Sequence, residues 1–161
     1  MAELRRDPIR GHHVLISPER SLRSSDYSRP PQIIDVSQSP FLPGHEEQTP
    51  PEIDSVRLND SLPNSPGWSV RVFPNMYAAL SRKPSSVLTR GGGAGLFSAA
   101  EAFGSQEVMV ISPEPGQEIA RMRIEEIDQV FALVQHRLVR LSRDPRIHYC
   151  LLFQNRGPEA G

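Results

Sequence analysis

Hydrophobic positions recur with period two in some stretches of the chain and at three- to four-residue steps in another, and the two spacings predict different elements. Trp68, Val70 and Val72 alternate with Ser69, Arg71 and Phe73, the pattern of a half-buried strand, which Pro74 closes. His13-Val14-Leu15-Ile16, between Gly11 and Pro18, predicts a short strand, and Glu107 to Ile111 predicts another. Ile147 to Phe153 is nearly continuous in apolar residues, which predicts a strand buried on both faces. Ile124, Ile127, Val130, Phe131, Val134, Leu138 and Leu141 instead form one stripe and predict a helix over residues 123–143 that covers a sheet. Glu125, Glu126 and Asp128 near its start and Arg137, Arg140 and Arg143 near its end suit the helix dipole, although no Ser, Thr, Asp or Asn stands at the expected N-cap. Asp144-Pro145 stops it. Several strands, one long helix and no βαβ alternation predict an α+β domain with a mainly antiparallel sheet.

Composition adds an irregular beginning. Of 16 prolines, ten fall before residue 67, so 1–66 is expected to be a proline-rich wrapping segment and 67–161 the sheet and helix of one domain. Gly91, Gly92, Gly93 and Gly95 are not followed by Gly-Lys-Ser/Thr, so they predict a flexible loop without phosphate chemistry. A formal charge of -1 provides no net positive field, which argues against nucleic acid as a partner. A single cysteine, Cys150, excludes an internal disulfide framework, suits a reducing compartment and, inside an apolar strand, reads as a buried inert thiol. The longest apolar runs fall short of the ~18 residues of a membrane span and no signal-peptide core opens the chain, so no membrane partner and a cytoplasmic location are expected.

Five segments carry more specific information. The first is Glu3-Leu4-Arg5-Arg6-Asp7-Pro8-Ile9 with Gly11 to Arg20 and Asp26-Tyr27; the second is Ser39-Pro40-Phe41-Leu42-Pro43-Gly44-His45-Glu46 with Thr49-Pro50-Pro51-Glu52. Trp68 to Pro74, then Asn75-Met76-Tyr77-Ala78-Ala79-Leu80, and lastly Phe153-Gln154-Asn155-Arg156-Gly157 complete the set. In this order they resemble the amino-terminal half of the galactose-1-phosphate uridylyltransferase family. The resemblance implies a histidine-triad-like fold and a hexose-1-phosphate nucleotidyltransferase of galactose metabolism. Such an enzyme takes a nucleotide sugar such as UDP-glucose, with a sugar phosphate as second substrate, and forms a nucleotidyl-histidine.

By that resemblance Arg20 and Arg23 match phosphate-binding arginines, Asn75 and Tyr77 match a box that contacts the nucleoside, and Asn155 matches an asparagine that binds a phosphoryl oxygen. The nucleophile belongs to a His-Pro-His motif that these 161 residues do not contain, so no catalytic residue is assigned here. The chain is expected to be an incomplete amino-terminal domain, inactive alone. The family's zinc is not expected either: Ser39 and Leu42 replace two cysteine ligands, Pro115 stands where a histidine would be third, and the fourth ligand belongs to His-Pro-His. Neither metal nor other cofactor is therefore assigned, while a homodimer is implied by the family. Met76 and Tyr77 differ from the commoner residues of their box, which leaves uridine and adenosine nucleotides both open. The alternatives are an ADP-sugar phosphorylase or adenylyltransferase relative, and a non-catalytic nucleotide-binding or dimer-interaction module.

Overall fold

The computed structural model describes residues 2–17, 35–83 and 98–155. Arg20, Arg23 and the glycine-rich stretch 91–95 lie outside the described residues. The chain forms two compact units that alternate along the sequence, one made of 1–32 and 77–106 and the other of 33–76 and 107–161.

The first unit contains a three-stranded antiparallel sheet. Its central strand β1 (Glu3–Arg6) pairs with β2 (His13–Ile16), the strand expected from the apolar run there. Gly11, at φ +71°, turns the hairpin between them, a conformation that glycine adopts without steric penalty. In the second unit, β3 (Asp54–Arg57) and β4 (Trp68–Pro74) are antiparallel neighbours. The first sheet is completed by β5 (Ser98–Glu101) on the other side of β1, and the second by β6 (Glu107–Val110) on the other side of β4. β1 (ELRR), β3 (DSVR) and β5 (SAAE) carry at most one large apolar residue each, so no apolar run or alternation announces them. The helix α1 runs Ile124–Ser142. Glu126 serves it as a cap in place of the missing Ser or Asp: its carboxylate accepts from the backbone N–H of Arg123 at 2.8 Å and pairs with the Arg123 guanidinium at 3.0 Å. An α+β fold of antiparallel sheets with one long helix is thus the observed architecture.

Strand β4 is buried on both faces, not half-buried as its alternation suggests. Val70 and Val72 pack with Val130, Leu133 and Val134 of α1, while Arg71 and Phe73, at odd positions, are covered by the chain before β3. A bulge separates Trp68 from the valines it alternates with in sequence. Val56 faces Val70 but Arg57 faces Trp68, so Ser69 is the extra residue of the pair. Its insertion turns the Trp68 side chain away from the helix, toward Glu46.

One further expectation holds in part and another fails. Of the predicted stripe, Val130 and Val134 are buried against the sheet together with Leu133, while Ile124 and Phe131 remain largely exposed. Polar side chains share the sheet-facing side with them. Gln129 accepts from the Ser69 hydroxyl at 2.9 Å, and Arg137 pairs with Glu107 at 2.9 Å and Asp54 at 3.3 Å. Residues 147–153 form no strand. A strand buried on both faces needs neighbours to complete its hydrogen bonds, and no described strand pairs with this run, so Tyr149, Leu151, Leu152 and Phe153 are exposed. Cys150 is consequently an exposed thiol, not a buried one.

Candidate functional site

Asn75 follows directly on β4, which is hydrogen-bonded on both sides and buried, so the backbone entering this residue is held by the most constrained element of its unit. Its side chain is half-buried. Tyr77 lies in the turn that follows, where the chain passes into the other unit, and its ring is 59% exposed. Nearby, Gln106 accepts from the backbone N–H of the buried Ala79 at 2.9 Å, which fixes the chain after Tyr77. Asn155, the last described residue, is exposed on the irregular stretch beyond α1, in the same unit as Asn75.

The most polar interior of the second unit was not legible as a site. Arg71 is only 1% exposed and Glu46 4%, and both stand on the sheet face away from α1. The Trp68 indole N–H donates to Glu46 at 2.8 Å; Arg71 donates through Nη1 to the Thr49 hydroxyl at 2.8 Å and through Nε to Glu52 at 3.3 Å. Arg57 grips the same Glu52 with one nitrogen against both oxygens, at 2.7 and 2.6 Å. Burial pushes the Glu52 carboxyl up, but hydrogen bonds from Arg57, the Asn64 backbone and Ser55, together with the Arg57 charge, outweigh it and hold the group below the usual carboxylate range. Asn64 enters this arrangement at φ +58°, a conformation asparagine tolerates, and its side-chain oxygen accepts from the Glu52 N–H at 2.7 Å. Gly67 at φ +102° has no alternative residue: a Cβ there would lie 2.7 Å from the Ser61 hydroxyl. The sequence signal for this cluster was an arginine inside an otherwise apolar strand, preceded by a Thr-Pro-Pro-Glu segment.

On the opposite sheet face, Arg137, Glu107, Asp54 and His136 form a second charged cluster, with His136 Nδ1 3.0 Å from Asp54. The Arg137 guanidinium is raised above its ordinary value by hydrogen bonding to Glu107, which exceeds the opposing effect of burial. No helix among the described residues is long and apolar enough to cross a membrane.

Residues 2–161 match the family model described as galactose-1-phosphate uridyl transferase, N-terminal domain. The chain belongs to this family. A curated relative, ADP-glucose phosphorylase of Arabidopsis thaliana, is 30% identical over 162 aligned residues, covering 99% of this chain and 44% of the relative. The crystal structure of an ADP-glucose phosphorylase from Arabidopsis thaliana with bound ADP-glucose superposes with a TM-score of 0.59 at 29% identity, over 100% of this chain and 44% of that one. A uridylyltransferase structure gives a TM-score of 0.58 at 20% identity, over 88% of this chain and 36% of that one, a likeness of fold alone. The chain therefore spans less than half the length of these uridyl transferase family relatives.

Proposed function

We propose that this chain forms the amino-terminal part of a histidine-triad-like nucleotidyltransferase acting on a nucleotide sugar, and that the nucleotide is adenosine diphosphate. The observation that carries this reading is the 30% identity to an ADP-glucose phosphorylase sustained along 99% of the chain. In the proposed reaction a histidine nitrogen attacks the α-phosphorus, the sugar 1-phosphate leaves, and the nucleotidyl group then passes to phosphate or to a second sugar phosphate. The His-Pro-His motif suited to that attack does not occur in these residues, so the part assigned to them is binding. Arg20 and Arg23 neutralise the diphosphate, Asn75 and Tyr77 hold the nucleoside, and Asn155 donates to a phosphoryl oxygen. Asn75 suits its role because its backbone is fixed by the buried β4, so little conformational entropy remains to be lost on binding.

A uridine nucleotide is the second reading, favoured by the family's own description. Calorimetry with ADP-glucose and UDP-glucose on the purified chain separates the two. Tighter binding of ADP-glucose, weakened about tenfold by Asn75→Ala through loss of a hydrogen bond of ~1.4 kcal/mol, is the expected result. Preference for UDP-glucose transfers the assignment to uridylyl chemistry, and absence of binding for both sugars removes nucleotide binding from this chain.

A further inference from the structure

The family's metal and the residues of this chain disagree at the tip of the segment that precedes β3. A closed zinc site needs four nitrogen, sulfur or oxygen ligands in tetrahedral array. Ser39 and Leu42 stand at two of those positions; Leu42 has no ligating atom, and the Ser39 hydroxyl accepts from the Phe41 N–H at 3.3 Å. The ring of His45 faces back into its own turn, with Nδ1 2.7 Å from the Ser39 carbonyl oxygen, to which it can only donate. Glu46, the next candidate, has both oxygens engaged: one accepts from the Gly44 N–H at 2.9 Å and the other from Trp68 at 2.8 Å. Among the described residues no group of three His, Cys, Asp or Glu side chains is placed to hold a metal ion. The described residues of this segment do not fit zinc.

They do form a different fastening. We propose that the 39–49 loop of this chain is locked to the sheet by a metal-free clamp, in which the buried Glu46 carboxylate joins the loop's own turn to the Trp68 indole of β4. Gly44, at φ +91°, sets the turn that aims its N–H at Glu46. The bulge at Ser69 puts Trp68 on the loop side of the sheet, where its N–H can meet the carboxylate. Two more ties run beside this one. Arg71 reaches the Thr49 hydroxyl at 2.8 Å and the Glu46 carbonyl at 3.5 Å, and the Phe41 ring stacks on Phe73 with centroids 6.1 Å apart. Both guanidinium groups, Arg57 and Arg71, pair with the Glu52 carboxylate, while the Glu46 carboxylate is held by the N–H groups of Gly44 and Trp68. A metal joins chain segments through one centre. Here the same joining is spread over an acid, an indole, a guanidinium and a hydroxyl, all supplied by residues 46–71.

The test uses the whole chain and needs no activity. Metal analysis of the purified protein is expected to find no stoichiometric zinc, and EDTA is expected to leave the melting temperature unchanged. Hydrogen exchange then asks whether Glu46 is the lock. In Glu46→Ala the amides of 41–49 should exchange about tenfold to a hundredfold faster, each tenfold being 1.4 kcal/mol of lost protection, while those of β6 keep their protection. Trp68→Phe, which removes the indole N–H and keeps a large ring, should raise loop exchange in the same region and gives the answer if Glu46→Ala does not fold. One zinc per chain, a melting temperature lowered by EDTA, or loop exchange unaltered in the folded variants overturns the proposal. So does acceleration spread evenly over loop and β6, because it reports general destabilisation in place of a local lock.

Discussion

Arg71 is 1% exposed, and a guanidinium taken that far from water is tolerated only where its donors are met by acceptors or aromatic faces. Glu52, Thr49 and the Glu46 carbonyl meet them, and the Phe73 ring lies 4.9 Å below the guanidinium carbon. Replacing it with methionine keeps the stem and strands these partners, so Arg71→Met is expected to destabilise by about 3–5 kcal/mol in urea unfolding. Arg71→Met combined with Glu52→Gln should cost less than the sum of the two, since a neutral amide no longer lacks a counter-charge. Glu52 also predicts a pH dependence. Its folded-state value is lowered, so its contribution is present above its unfolded value and disappears as pH falls through the folded one. The melting temperature should therefore fall more steeply in the parent than in Glu52→Gln as pH is taken from about 5 to about 3. Parallel curves would remove Glu52 as the source.

At the scale of elements, the sequence was readable where one face of an element faces apolar neighbours and unreadable where polar partners replace them. The strand at 13–16, the strand from Trp68 to Pro74, the one beginning at Glu107 and the helix were all legible, each to within a residue or so of its observed bounds. The packing face of α1 is legible in Val130 and Val134 but not in Gln129 and Arg137, which look like solvent positions although Ser69, Glu107 and Asp54 give them partners against the sheet. The bulge that re-aims Trp68 leaves no mark in the alternation, because one inserted residue alters facing and not composition. At 147–153 an apolar run predicts an element, but hydrophobicity does not supply the neighbouring strand that an element needs. The candidate site was legible only through the resemblance; hydrophobic spacing contributed the strand that presents Asn75 and nothing of the ligand. Arg137 offers a direct check on the helix reading. It joins α1 to β3 and β6 through acids that are themselves mostly buried. Arg137→Leu should cost about 1–3 kcal/mol, from acids left without their partner. A surface position of the same helix such as Arg140→Leu should change stability by no more than about 0.5 kcal/mol. Equal effects would mean that the ion pairs do not fasten the helix.

At the scale of the molecule, the described residues of the two units differ in how much they bury, and that difference predicts how the two sheets open. The second has a central strand hydrogen-bonded on both sides, covered by valines and leucine of α1 on one face and by the Arg71 cluster on the other. In the first, β2 is mostly exposed and the buried side chains among the described residues are the small Ala79 and Ala102. Apolar burial contributes roughly 25 cal/mol per Å², so these two alanines contribute far less than the buried valines, leucine and tryptophan of the second unit. Each unit is built from stretches separated in sequence, with 33–76 inserted between the parts of the first. Local opening of the first sheet breaks only short strands, whereas exposing β4 means detaching the helix or the loop that covers it. Native-state hydrogen exchange should show the amides of β1, β2 and β5 exchanging through openings of low free energy, and those of Val70 and Val72 only at the free energy of the most stable unit. Low denaturant concentrations should accelerate β4 exchange steeply, because much surface is uncovered, and leave the exchange of β2 almost unaffected. Uniform protection across both sheets, with one denaturant dependence for all, would show that the units unfold together and that burial within each does not set its stability.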